Sequence, residues 1–257
     1  GQCIGSSPQT DGEKIYIGLE YGLRGGSLCA FDSESGKLSW FFKTKHYVAS
    51  VPKIYENNSI IFGANDSNIY CIDKEGKFLW SFKTKGEVKG SFAVDNGKLY
   101  ATSFDGNLYC LNADNGKLIW NKKLGYKLYN NPLIVEDRVV IGSHSKRVFA
   151  LDKDNGKIEW MFVAKSRFIS SPVFYEGKIF IGSNEGNLYV LDKNEGNLIF
   201  SYKTKGPITS APCIKDRLIF CSSNDGNLYC FKINNWAKKQ RGRIEDLFLC
   251  IKNETYK

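Results

Sequence analysis

The side chains best placed to act on another molecule are cations, and they come in pairs. Lys43 and Lys45, Lys83 and Lys85, Lys122 and Lys123, Lys165 and Arg167, and Lys203 and Lys205 recur about every 40 residues. Positive pairs repeated at one structural height suit the holding of an anion, because ordered charge concentrates counter-ions better than scattered charge. They do not suit bond breaking. No Ser-His-Asp arrangement, paired carboxylates in a shared motif, Walker loop or dinucleotide fingerprint occurs. The only two histidines, His46 and His144, have no carboxylate at ligand spacing, and there is no CxxC. The chain is therefore expected to be no enzyme and to need neither cofactor nor metal.

Other positions share the period. Ser50, Gly90, Asn130, Ser170 and Ser210 form a row of small residues. Such residues suit a crowded wall, and their polar groups also suit a ligand or a water column. Asp66, Asp105, Glu185 and Asp225 are expected beside the cations and to neutralise part of their charge, in surface pairs of about 0–1 kcal/mol each. The net charge of +9 fits an anionic partner or a Lys-rich solvated surface. Lys238-Lys-Gln-Arg-Gly-Arg243 beside Trp236 adds a cluster suited to a phosphate backbone, to an acidic partner or simply to solvent.

The elements that must position these side chains are short strands. Aromatic content of 14% and 25 glycines favour strands and tight turns. One repeat shows the plan: runs at 171–175, 178–182, 187–192 and 197–202, separated by turns at Glu176-Gly177, Ser183–Gly186 and Lys193–Gly196. The third run is apolar on both faces (Leu188, Tyr189, Val190, Leu191), as in a strand covered on both sides. Four antiparallel strands per repeat, buried between neighbours, make a β-propeller blade. The expected fold is all-β, a propeller of about six four-stranded blades in one domain over 1–257. The blades are placed at about 5–45, 46–85, 86–125, 126–165, 166–205 and 206–257.

Two places break the period. Glu20–Gly26 reads as a loop about four residues longer than its counterparts. After Phe231 the motif is lost, and the apolar run Ile244–Ile251 is read as a displaced fourth strand or as a short capping helix. Gln2–Gly5 aligns with the connectors between repeats, which places Ile4 with Val48, Val88, Leu128, Phe168 and Ile208. The chain thus starts with Gly inside a connector, as expected of a fragment cut from something longer. Cys71, Cys110 and Cys230 share one strand site with Ala30, Ala150 and Val190, so they read as small buried hydrophobes. Reduced thiols, with no signal peptide or 18-residue apolar run, point to a cytoplasmic setting.

The repeat resembles the pyrroloquinoline-quinone-like (PQQ-like) repeat. The resemblance rests on Asp32…Gly36…Trp40, Asp73…Gly76…Trp80, Asn112…Gly116…Trp120, Asp152…Gly156…Trp160 and Asp192…Gly196…Phe200. It implies that the Trp packs between adjacent blades. It also admits a quinone-dependent oxidoreductase, but that activity goes with a longer chain, a vicinal Cys pair and calcium ligands. No two Cys are adjacent here. The favoured reading is a scaffold that binds a protein, peptide or anionic partner on the Lys-rich face, with nucleic acid as the alternative and no insertion into a membrane. Partner-binding candidates are Tyr21, Arg24, Lys43, Lys45, Lys83, Lys85, Lys123, Lys165, Arg167, Lys203 and Lys205.

Overall fold

A computed structural model describes residues 2–21, 25–56, 59–232 and 249–251, the last three and residues 2 and 3 as backbone only. Every element in it is a strand or turn, and no described helix is long and apolar enough to cross a membrane. The first sheet holds β1 (Gln2–Ile4), β2 (Gln9–Thr10), β3 (Lys14–Tyr21), β4 (Gly25–Asp32) and β5 (Leu38–Thr44). The second holds β6 (Lys53–Tyr55), β7 (Ser59–Gly63), β8 (Asn68–Ile72) and β9 (Phe78–Lys83). The third holds β10 (Ala93–Asp95), β11 (Lys98–Thr102), β12 (Asn107–Asn112) and β13 (Leu118–Lys123). The fourth holds β14 (Leu133–Val135), β15 (Arg138–Gly142), β16 (Arg147–Asp152) and β17 (Ile158–Val163). The fifth holds β18 (Val173–Tyr175), β19 (Lys178–Gly182), β20 (Asn187–Asp192) and β21 (Leu198–Lys203). The sixth holds β22 (Cys213–Lys215), β23 (Leu218–Ser222), β24 (Leu228–Lys232) and β25 (Leu249–Ile251). Strands pair in chain order within each sheet, apart from β1 and β2, which both pair with β3.

The chain forms two compact units, Gly1–Ile134 with Asp154–Gly156, and Val135–Lys153 with Lys157–Lys257. In the first, Tyr16, Leu28 and Ala30 of sheet one pack on Val48, Ile60 and Phe62, and Ile61, Ile69 and Cys71 of sheet two pack on Val88, Leu99 and Tyr109. In the second, Phe180, Leu188 and Val190 pack on Ile208, Ile219 and Phe231. Both faces of most inner strands are therefore dry, which accounts for their unbroken apolar runs.

The Asp/Asn…Gly…Trp motif has a local cause. The Asp192 carboxylate accepts the Asn194 and Glu195 amides at 2.7 and 3.0 Å, and Asp73 does the same for Glu75 and Lys77 at 2.9 and 2.8 Å. This holds the turn between third and fourth strands. The glycine that ends the turn has φ of +70° at Gly116, a conformation L side chains avoid. A Cβ there would lie 2.5 Å from Trp80 Cε3, so the indole of one sheet lies flat on the glycine of the next. Trp80 Nε1 donates to Ala113 O at 3.1 Å, and Trp160 Nε1 to Lys193 O at 3.0 Å. The Trp is structural, as the resemblance implies.

Two expectations are corrected. Glu20–Gly26 is not simply a long loop: β3 and β4 run on to pair Glu20 with Gly26 and Tyr21 with Gly25. The lengthened hairpin leaves an open edge, and Gln2–Ile4 pairs with Leu19–Tyr21 along it as a strand, where a connector was expected. The strand reading of the final apolar run holds at Leu249–Ile251, which pairs with Tyr229–Phe231. Arg24, Trp236 and the 238–243 cluster lie outside the described residues.

Candidate functional site

The paired cations follow from strand alternation. In Lys83-Thr84-Lys85 and Lys203-Thr204-Lys205 the threonine turns inward and both lysines turn out. Thr84 and Thr204 are buried and donate to Gly86 O and Gly206 O, each at 2.6 Å, which shapes the connector to the next sheet. The connector is pinned to the turn between second and third strands: Val88 N donates to Ala64 O at 3.2 Å, and Ile208 N to Ser183 O at 3.0 Å. Connectors and these turns thus share one face within each unit.

The two lysines of a pair have different jobs. The Nζ of Lys83, Lys123 and Lys203 donates to the backbone carbonyl of Asp66, Asp105 and Glu185 respectively, so the first cation ties down its own sheet's turn. The second gives its backbone instead. Lys45 N donates to Asp66 Oδ2 at 3.1 Å, Lys85 N to Asp105 Oδ2 at 2.9 Å and Lys205 N to Asp225 Oδ2 at 2.9 Å. The ammonium groups of Lys45, Lys85 and Lys205 are exposed, and no hydrogen bond or ion pair holds them among the described residues. Lys165 and Arg167 are exposed in the second unit.

Among the described residues, the acidic turn residues are held by hydrogen bonds and not by ion pairs. The carboxylates of Asp66, Asp105 and Asp225 each accept a tyrosine hydroxyl, from Tyr70 at 2.8 Å, Tyr109 at 2.7 Å and Tyr229 at 2.8 Å. Glu185 takes that of Tyr189 at 2.5 Å. Partial burial works to raise the Asp225 carboxyl, but the Tyr229 hydroxyl and the Asn227 and Lys205 amides outweigh it and hold it at about 2. Asp105 is lowered by the same balance. Burial first, then the carboxylate, pushes the Tyr109 and Tyr70 hydroxyls well above the ordinary tyrosine value. The latch is absent from sheet four, where Ser145 and Phe149 replace acid and tyrosine together.

The small-residue row also has a partner in the fold. Ser50 Oγ accepts Gly63 N at 2.6 Å, and Ser170 Oγ accepts Gly182 N at 3.3 Å. In the third sheet the hydroxyl has changed sides: Thr102 stands where glycine stands in its neighbours, Gly90 replaces serine, and Thr102 Oγ1 donates to Asn130 O at 3.0 Å. This is packing chemistry.

Two places on the first unit differ from the repeat. Tyr21 and Lys43 line one groove of about 450 Å³ with Gly25, Gly26, Leu38, Phe41 and Thr44. Tyr21 Oη is tied to Ser27 Oγ at 2.7 Å, and Lys43 Nζ lies 5.7 Å from the Phe41 ring centre. The second place was not among the sequence candidates. Phe104 occupies a turn position held by Asn65, His144, Asn184 and Asn224 elsewhere. Lys89 Nζ and Lys127 Nζ lie 4.8 and 5.0 Å from its ring centre, and Tyr129 packs on it at 5.3 Å. Tyr126 beside them is 77% exposed. The signal was present as a break in the alignment of repeats, where Phe replaces an Asn or His.

The PQQ_2 family model, described as outer membrane protein assembly factor BamB, matches residues 65–235. No curated protein matches the chain. Among solved structures, that of BamB from Moraxella catarrhalis superposes with a TM-score of 0.74 at 14% identity, covering 90% of this chain and 74% of that one. The computationally designed Ika8 protein superposes at 0.78 and 16% identity, covering 90% and 71%. At these identities the likeness shows the fold, a β-propeller of four-stranded blades.

Proposed function

Because the chain belongs to the PQQ_2, BamB-like family, we propose that it is a non-catalytic scaffold that docks an acidic segment of a partner protein on the connector face of its first unit. The observation that carries this reading is the cluster of Phe104, Tyr129 and Tyr126 with Lys89 and Lys127. Rigid aromatics flanked by cations are what interface hot spots are made of, and a half-buried ring costs little entropy to engage. Lys45 and Lys85 extend the positive field around the cluster and would steer an acidic chain toward it. The groove holding Tyr21 and Lys43, which runs along β5 from Leu38 to Thr44, gives the same unit a second apolar surface. The buried or unbridged thiols of the described cysteines support a reducing, cytoplasmic setting as part of this proposal.

A fluorescent Glu-rich peptide containing a Phe serves as the test ligand. Its binding should weaken about tenfold or more in Phe104→Ala and in a Lys89→Glu/Lys127→Glu variant, and it should weaken with salt. Equal binding by the wild type and both variants would overturn the assignment. Tighter binding of a single-stranded oligonucleotide than of the peptide, with a steep salt slope, would transfer the face to nucleic acid.

A further inference from the structure

We propose that Cys230 and Cys250 form a thiol–disulfide switch that fastens β25 to β24 when the surrounding thiol pool becomes oxidising. The two residues stand directly opposite each other on these neighbouring antiparallel strands. Opposed positions share a face of the sheet, and their Cα atoms lie about 4.5 or 5.5 Å apart, according to whether the pair is hydrogen-bonded. Both separations fall inside the span of roughly 4.4–6.8 Å that a disulfide bridges. The register of sheet six therefore meets the backbone requirement of the bond.

Comparison with the other repeats shows that this pairing is a departure. The equivalent opposed pairs are Ala30 with Trp40, Cys71 with Trp80, Cys110 with Trp120, Ala150 with Trp160 and Val190 with Phe200. In those five sheets a small residue on the third strand faces an aromatic on the fourth. In sheet six a second cysteine takes the place of the aromatic. Register also excludes the other cysteines of this sheet. Cys213 faces Phe220, and Phe220 faces Cys230, so Cys213 and Cys230 are two strands apart, about 9–10 Å. Cys221 follows Phe220 in the chain and falls on the opposite face. Cys230 is only half-buried, whereas Cys71, Cys110 and Cys221 are buried away from small reagents.

A low-molecular-weight disulfide such as oxidised glutathione supplies the oxidant. The thiolate of one cysteine attacks it, forms a mixed disulfide and releases one glutathione thiolate. The thiolate of the other then attacks the protein sulfur, forms the Cys230–Cys250 bond and releases the second. The two protein sulfurs lose two electrons in total, glutathione disulfide gains them, and the two thiol protons end on the two released glutathione molecules. Excess reduced thiol runs the exchange backwards. The residues lie 20 apart in sequence, and closing a loop of that length removes freedom from the unfolded chain, which favours the folded sheet.

The full chain is incubated at pH 8 with oxidised or reduced glutathione, and its remaining thiols are then blocked. Trypsin digestion and mass spectrometry without reduction should find the peptide 218–232 joined to 244–252 in the oxidised sample only, with fragment ions placing the bond at Cys230 and not at Cys221. The oxidised protein should melt about 5 °C or more above the reduced protein. Cys230→Ser and Cys250→Ser should each abolish the linked peptide and the difference in melting temperature. Separate peptides in a sample whose exposed Cys213 carries glutathione would overturn the proposal, because the reagent would have acted and the pair would not have closed. A bond from Cys213 to Cys230 overturns the register argument, and a linked protein that melts no higher than the reduced one overturns the fastening.

Discussion

The hydroxyl that changes sides in sheet three gives a prediction with a sign no single substitution can mimic. A Cβ built on Gly90 meets Thr102 Oγ1 at 2.5 Å, Asn130 O at 3.1 Å and Tyr129 O at 3.3 Å. The Thr102 hydroxyl is itself bonded to Asn130 O, and Thr102 is buried. Gly90→Ser therefore forces a well-packed wall to move, costing about 1–3 kcal/mol, and strains a buried hydrogen bond worth about 1 kcal/mol. Thr102→Gly alone removes that bond and the buried methyl and loosens the strand, at about 2–3 kcal/mol. The double variant Gly90→Ser/Thr102→Gly rebuilds the Ser50–Gly63 arrangement of sheet two. Its loss should be smaller than the sum of the singles by about 2 kcal/mol, a coupling that neighbouring residues support and distant ones do not. Urea midpoints for the four proteins at constant slope give the cycle. Additive losses, or a neutral Gly90→Ser, would refute the claim that the two positions share one hydroxyl.

The Trp-on-glycine contact predicts that Gly116→Ala, with φ of +70° and Trp80 2.5 Å from the new methyl, costs about 2–4 kcal/mol, and Trp80→Ala about 3–5 kcal/mol, both read from urea midpoints. The depressed carboxyls of Asp105 and Asp225 contribute stability that is present above the unfolded value near 4 and is lost as the pH falls through their lower folded values, about 2 for Asp225. Asp105→Asn/Asp225→Asn should therefore lower stability at pH 7 and flatten its fall between about pH 4 and 2; an unchanged acid slope contradicts the latch. Burial raises the Cys71 and Cys110 thiols to about 11 and Cys221 to about 12, so at pH 8 a thiol reagent should modify exposed Cys213 well before these three, as peptide mapping of the labelled protein would show.

Much of the fold was legible because turns and strands announce themselves locally. The runs read at 178–182 and 187–192 are β19 and β20 to the residue, since Glu176-Gly177 and Gly186 fix where strands can start. The extended first hairpin was not legible, because Glu20, Gly25 and Gly26 are strand-poor residues around a lone Tyr21, and they owe their pairing to register continued from Lys14–Leu19. In the site, periodicity placed Lys45, Lys85 and Lys205 outward correctly. It could not separate them from Lys83, Lys123 and Lys203, since the difference lies in which group, ammonium or amide, reaches the turn. The acidic residues looked like neutralising surface charge because their partners, a tyrosine four residues on and a lysine amide about twenty residues earlier, are visible only in three dimensions.

The carboxylate latch has a consequence for how the protein is made. The amides of Lys45, Lys85 and Lys205 wait for carboxylates 21, 20 and 20 residues further along the chain. As the polypeptide leaves the ribosome, a sheet that has already paired its strands still holds an unanswered connector amide, and that amide is satisfied only when half of the following repeat has emerged. The first, second and fifth repeats are thus each finished by a successor, so a stall in synthesis after one of them would leave exposed the connector of the last complete sheet and not the strands within it.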